Sequence, residues 1–208
     1  MRVNLEARAA LAGQRRARTR DRLLAAAEAV IAEKGLHGGS IEEFARAAGV
    51  SRGTFYNYFP TTTDLIAAMN RRVARHMSGL LSEIAARPDD PATRLAASLH
   101  ALLTAYRLDP VRGWVAVELA SSKAPRAPGY EEAFAVLYRE GVRLGQFRDV
   151  DLMAAMTLCF GTVRMVQRDY AAGDRAAQAE ELIALVLTAY GVPFENAREI
   201  SRREAARA

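Results

Sequence analysis

Residues 49–60, GVSRGTFYNYFP, set one Arg, one Asn, two Tyr and two Phe into about three helical turns. Soluble proteins bury aromatic residues and spread polar ones, so this crowding calls for two faces with different tasks. Phe55 and Phe59 lie four residues apart and share one helical face, which turns Arg52, Gly53, Tyr56 and Asn57 outward. Ser51 stands where a helix cap belongs, and Gly49 where a left-handed turn residue costs least. Val50 is expected to plug the angle to the preceding helix. There, Ser40 and Glu43 form a capping box ahead of the apolar Ile41, Phe44, Ala45 and Ala48. Two short helices about a tight turn make a helix-turn-helix pattern. An outward Tyr beside an outward Asn suits a DNA major groove, where Tyr hydroxyls meet phosphates and Arg or Asn bond base edges. At Gly53 the missing side chain lets the helix backbone approach the DNA closely. The competing reading, that the tyrosines cover the edge of the core, fits part of Tyr58 better than it fits Tyr56.

Outward from this stretch the pattern stays helical. A first helix is expected from Thr19 to Lys34, burying Leu23, Leu24, Ala27, Val30 and Ile31 and stopping at Gly35. Thr61 and Asp64 make a second capping box, for a long helix carrying Leu65, Ile66, Met69 and Val73. After Pro88–Pro91 the helices become longer and more apolar, at roughly 91–107, 109–122, 130–145, 150–171 and 175–190, with a short polar helix after Pro193. Residues 121–129 read as the clearest flexible connector. Apolar spacings of three and four, with no lasting alternation, predict an all-α chain of about nine helices. Its expected parts are a basic N-terminal arm (1–18), a three-helix DNA-binding head with the helix-turn-helix (19–66) and a larger C-terminal helical bundle (67–208).

Half of the 208 residues are hydrophobic and a quarter charged, enough for a sizeable core within a globular chain. The net charge of +5 sits entirely in residues 1–22, where seven arginines face only Glu6 and Asp21. Such a run is either a solvated tail or, placed before a DNA-reading motif, a source of phosphate contacts through residues such as Arg18 and Arg20. The single cysteine, Cys159, lies among apolar neighbours and reads as a small buried hydrophobe. No apolar run is long enough to span a bilayer and the first residues lack a signal peptide's apolar stretch, so a reducing cytoplasm is the expected location, with no membrane partner.

The stretch from Thr19 to Leu65 resembles the DNA-binding domain of the TetR family of bacterial transcriptional repressors. The resemblance is carried by Thr19-Arg20, Leu23-Leu24 and Ala27, by Gly35, Ser40-Ile41 and Phe44-Ala45, and by Ala48-Gly49-Val50-Ser51, Gly53-Thr54-Phe55-Tyr56, Tyr58-Phe59-Pro60 and Leu65. The remaining two thirds resemble the family in length and helical layout only. The resemblance implies a homodimer on a palindromic operator in double-stranded DNA, released by a small-molecule effector. It places Arg52, Thr54, Tyr56, Asn57 and Tyr58 on the recognition helix and Ser40 at a phosphate. One position departs: a Lys common in the family just after the Phe-Pro pair is replaced by Thr62, so a point charge is missing and the arginine-rich arm is a candidate substitute. Glu42, where relatives sometimes carry a basic residue, likewise argues against charge from the second helix.

In the bundle, the resemblance implies a dimer through the last two long helices, whose apolar faces (Val150, Met153, Met156, Thr157, Phe160 and Val163; Leu182, Leu185, Val186 and Ala189) look too broad for one subunit; plain core packing is the alternative. It also implies an effector pocket, with Tyr106, Trp114, Glu118, Tyr138, Met153, Met156, Phe160 and Arg164 as candidates, each of which could equally be ordinary core. Glu118 and Arg164 are the informative pair, since a charge near an apolar face needs a partner or a ligand. Catalysis finds no foothold. His37, His76 and His100 lie apart, no metal-ligand spacing occurs and no glycine-rich phosphate loop follows a strand, so neither enzyme activity nor a cofactor is expected. Two other classes remain: an effector-independent, chromosome-organising DNA binder with the same head, and a helical binding module whose basic arm only solubilises it.

Overall fold

The structure is a computed structural model that describes residues 2–36, 38–120, 130–171 and 179–208. Among them it contains ten helices and no strand: α1 (Arg2–Lys34), α2 (Ile41–Ala47), α3 (Arg52–Tyr56), α4 (Thr62–Ala85), α5 (Pro91–Leu108), α6 (Pro110–Ala120), α7 (Tyr130–Arg143), α8 (Leu152–Ala171), α9 (Ala179–Ala189) and α10 (Phe194–Ala205). The expected connector at 121–129 and His37 lie outside the described residues.

Most boundaries follow from caps. Ser40 Oγ accepts from the Glu43 N–H while Ser40 N–H donates back to Glu43, and Thr61 and Asp64 repeat the arrangement at α4. Ser51 Oγ accepts from the Thr54 N–H at 3.1 Å. Gly49 takes a φ of +63° between α2 and α3, the left-handed value the turn requires. The start of α1 differs from expectation. Thr19 does not cap a helix; its hydroxyl donates back to the Arg15 carbonyl (3.0 Å) in mid-helix. The Ala-, Arg- and Leu-rich residues before it hold no breaker stronger than Gly13, so the helix extends to Arg2.

Two hydrophobic cores result. In the head, Leu23, Leu24 and Ile31 of α1 pack on Phe44 of α2, Phe55 of α3, Phe59, and Leu65 and Met69 of α4, all almost fully buried. Val115 and Leu119 of α6 complete this core. The bundle core joins α5, α7, α8, α9 and α10 around the rings of Phe134, Tyr138, Phe147 and Tyr190. Helix α4 runs unbroken past residue 66, and its Val73 packs against both cores. Thus α4 and α6 mechanically join head and bundle.

Candidate nucleic-acid interface and effector cavity

Helix α3 is anchored by its aromatic side. Phe55 and Phe59 are buried with ring centroids 5.8 Å apart, and Phe44 stacks on Phe55 at 6.4 Å. This anchoring leaves Arg52, Gly53 and Asn57 exposed and Thr54 half-buried, with Tyr56 37% exposed and set edge-on against Phe55. Val50 and Tyr58 pack partly against the head core. A Cβ added at Gly53 would meet nothing closer than Ser51 Oγ at 3.9 Å, so nothing inside the fold demands this glycine.

Several exposed groups are already engaged. Arg52 Nη1 lies 2.6 Å from Glu42 Oε1, its Nη2 donates to the Tyr56 hydroxyl at 3.3 Å, and its guanidinium stands over the Tyr56 ring. The Tyr56 hydrogen bond, with Glu42 beside it, raises the already high pKa of Arg52, so this charge is permanent. Thr54 Oγ1 shares a hydrogen bond with Ser51 Oγ (2.9 Å). Ser40 is committed to its capping box, where Glu43 also binds Lys34. The Lys34 ammonium, then the Ser40 backbone and hydroxyl, hold the Glu43 carboxyl down at about 2. Thr62 is half-buried in the first turn of α4 beside Asp64, so the N-terminal turn carries a negative charge where the family Lys would bring a positive one.

The N-terminal half of α1 supplies cations in that neighbourhood. Arg16 Nη2 donates to the Asn57 carbonyl at 3.5 Å and its guanidinium lies over the Tyr58 ring, while Arg20 lies over Phe59. Arg8, Arg15 and Arg18 are exposed on the same helix. The link between Arg16 and the end of α3 was not readable from the sequence. Finding it required α1 to start before Thr19.

The eight bundle candidates do not share one site. A cavity of about 330 Å³ opens between α4, α5, α7 and α8, and of the eight only Phe160 lines it. Tyr138 is core, its hydroxyl donating to the Arg148 carbonyl (2.8 Å), and Tyr106 is buried in the same core. Trp114 borders a separate open cleft beside Gly35 and Arg168. Met153 is 65% exposed, Met156 packs at the edge of the core and Arg164 is half-buried. Glu118 is not paired with Arg164; its Oε2 accepts the Leu36 N–H, at the junction with the head. Periodicity could place these residues on helices but not tell which faces of separate helices meet. The cavity wall instead brings together Leu95, Leu99, Leu102, Phe134 and Cys159, with Arg94 and Glu140 paired at 2.6 Å.

A second polar cluster lies at the joint. Glu28 of α1 faces Arg72 of α4 at 3.4 Å and shares a small cavity with Arg112 of α6. Burial pushes the Glu28 carboxyl up, and the nearby Arg72 and Arg112 partly oppose that. No described helix is long and apolar enough to cross a membrane.

Residues 23–69 match the family described as bacterial regulatory proteins, tetR family. Over 78 residues the chain is 28% identical to the nucleoid occlusion factor SlmA of Actinobacillus pleuropneumoniae, which covers 38% of this chain and 39% of that one. The chain thus spans about two fifths of the length of those factors. Over 178 residues it is 28% identical to the uncharacterized HTH-type transcriptional regulator Mb2274c of Mycobacterium bovis, covering 80% of this chain and 92% of that one. In three dimensions it resembles RolR in complex with resorcinol, with a TM-score of 0.66 and 28% identity over 92% of this chain and 96% of RolR. A tetR family regulator from Shewanella superposes with a TM-score of 0.71 at 20% identity, over 84% of this chain and 99% of that one, a likeness of fold.

Proposed function

This chain belongs to the tetR family of bacterial regulatory proteins, and from that premise we propose that it is a cytoplasmic transcriptional repressor that binds a palindromic operator as a homodimer and is released by a small molecule. The observation that carries the reading is the anchored recognition helix: Phe55 and Phe59 are locked inward, so Arg52, Tyr56 and Asn57 face outward on a rigid base. Arg52 is suited to a guanine edge, Asn57 to an adenine edge, Tyr56 and Thr54 to phosphates, with Gly53 permitting close approach. Ser40, Thr62, Tyr58, Arg18 and Arg20 form the rim.

Dimerisation is supported by an apolar surface on α8 and α9. Met153, Leu158, Met165 and Leu185 are between 41% and 65% exposed, and Leu158 and Met165 stand on one ridge with Ala154 and Gly161. Two heads joined there would set two recognition helices into successive major grooves, about 34–36 Å apart. The effector reading rests on the cavity between α5, α7 and α8, and RolR, similar over most of this chain, has been crystallised with resorcinol. The chromosome-organising alternative draws on the similarity to SlmA, which reaches 38% of the chain. Similarity to a ligand-bound structure over 92% of the chain favours the regulator.

The test is footprinting on the DNA beside the protein's own gene, repeated with Arg52→Ala and Tyr56→Ala. A two-fold symmetric protected site that both substitutions abolish is expected. Unchanged protection by both variants, or many dispersed asymmetric sites, would overturn the reading.

A further inference from the structure

We propose that the cavity between α5, α7 and α8 selects a compact neutral molecule, an aromatic or alkyl body bearing one hydroxyl or carbonyl, and rejects carboxylates. The proposal rests on the reading of this cavity as the effector site and goes beyond it by naming what the site accepts.

Size sets the first limit. A cavity of about 150 Å³ is enough to bind benzene, so about 330 Å³ suits a substituted or fused ring and is too small for a long acyl chain with a nucleotide head. The body of the site is apolar, with Leu95, Leu99, Leu102, Phe134 and Phe160 on its walls. Cys159, also on the wall, adds no charge, because burial pushes its thiol up to about 12.

The polar lining consists of Ser98, Glu132 and the Arg94–Glu140 pair, and in that pair the cation is already used. The Arg94 side chain is only 13% exposed; its Nη2 lies 2.6 Å from Glu140 Oε2 and its Nη1 donates to the Ala85 carbonyl at 3.4 Å. What remains on Arg94 is Nε, buried without a partner. Ser98, one turn further along α5, also lines the cavity. An entering carboxylate would lose its hydration beside Glu132 and Glu140 and meet no uncommitted cation among the described lining residues, a heavy penalty in an apolar site. A hydroxyl or carbonyl has far less solvation to lose and can accept from the Ser98 hydroxyl. The buried ion pair therefore works as a charge filter: it hides the positive charge from anions while the Ser98 hydroxyl is left to meet a neutral polar group.

Calorimetry of the full-length protein with 2-naphthol and 2-naphthoate, matched in ring size and differing in charge, tests this directly. Near neutral pH, 2-naphthol is expected to bind at least about tenfold more tightly than 2-naphthoate. Glu140→Gln, which uncovers the Arg94 charge, should narrow that ratio by strengthening 2-naphthoate, and Ser98→Ala should weaken 2-naphthol by about threefold while leaving 2-naphthoate unchanged. Leu99→Trp, which fills the cavity, should abolish 2-naphthol binding. Thermal melts establish that each variant is folded. Equal or tighter binding of 2-naphthoate to the unmodified protein overturns the charge filter while leaving the cavity as a binding site. Binding that survives Leu99→Trp, or no binding of either probe, overturns the cavity reading and the proposal with it.

Discussion

Leu36, just beyond the end of α1, donates its backbone N–H to Glu118 Oε2 of α6 at 2.8 Å, a contact that joins head to bundle across 82 positions of sequence. Beside it, Val115 and Leu119 of the same helix are buried in the head core. Helix α6 is therefore built into the head at one face while its N-terminus follows directly from α5, which walls the cavity. Glu118→Ala leaves a half-buried N–H unmet, for an expected loss of about 1–2 kcal/mol in urea unfolding. If α6 transmits the cavity's state, the same variant should also reduce the change in operator affinity that a bound effector causes, measured by fluorescence anisotropy with and without effector.

The pairing of Arg52 with Glu42 occupies the one cation of the recognition helix. Both side chains are about half exposed or more, so solvent screens the pair and it adds little to stability. Glu42→Gln frees Arg52 and removes a carboxylate that would face phosphate. Operator affinity is expected to rise by up to about fivefold, with a larger gain at low salt where exposed charges are less screened. An unchanged affinity in a filter-binding titration would mean that Arg52 does not reach the DNA.

How far the sequence revealed these features depended on whether the signal was local. The two capping boxes, the Gly49 turn and the inward Phe55 and Phe59 are set within four or five residues, and each occurs as read. The start of α1 was missed because Thr19 can cap a helix or bond back within one, and only the helical propensity of the residues before it decides. Contacts across 41 or 82 positions, Arg16 to Asn57 and Leu36 to Glu118, leave no periodic trace. The cavity suffered most, because its walls come from four helices and a helix pattern shows which residues are apolar but not which faces oppose one another.

A buried histidine ties the bundle's stability to pH. The Ser201 hydroxyl donates to the Glu180 carbonyl (2.8 Å), so at 3.0 Å it accepts from His100 Nε2, and the ring is neutral with its proton there. Burial, the largest influence, lowers the pKa of His100 below 6.5 despite the Ser201 contact and the nearby Glu180 and Glu204. A depressed folded value means that the unfolded chain takes up the proton first as pH falls. Stability from this group is fully present above 6.5 and lost below it. Thermal melts between about pH 7 and pH 5 should therefore fall more steeply for the native protein than for His100→Gln, and parallel curves would show that His100 takes up its proton alike in both states.

The N-terminal half of α1 raises a question of charge placement that salt dependence can answer. Thr62 brings no cation to the start of α4, and Asp64 beside it carries the opposite sign. Arg8, Arg15 and Arg18 stand exposed on a helix whose Arg16 touches Asn57 at the end of α3, and under the proposed function they are candidates for contacts to the DNA backbone. Each phosphate contact releases counterions and steepens the dependence of log affinity on log salt by about 0.9. Replacing all three by Gln keeps helical propensity while removing the charge, which a truncation of α1 would not do. In a homodimer even one contact per arm makes the slope shallower by about 2, and three per arm by about 5. Affinity should fall for specific and random DNA alike, since phosphate contacts carry no sequence information. A slope equal to that of the unmodified protein would leave the arm as a solvated helix and return the task of gripping phosphate to the hydroxyls and backbone N–H groups at the start of α4.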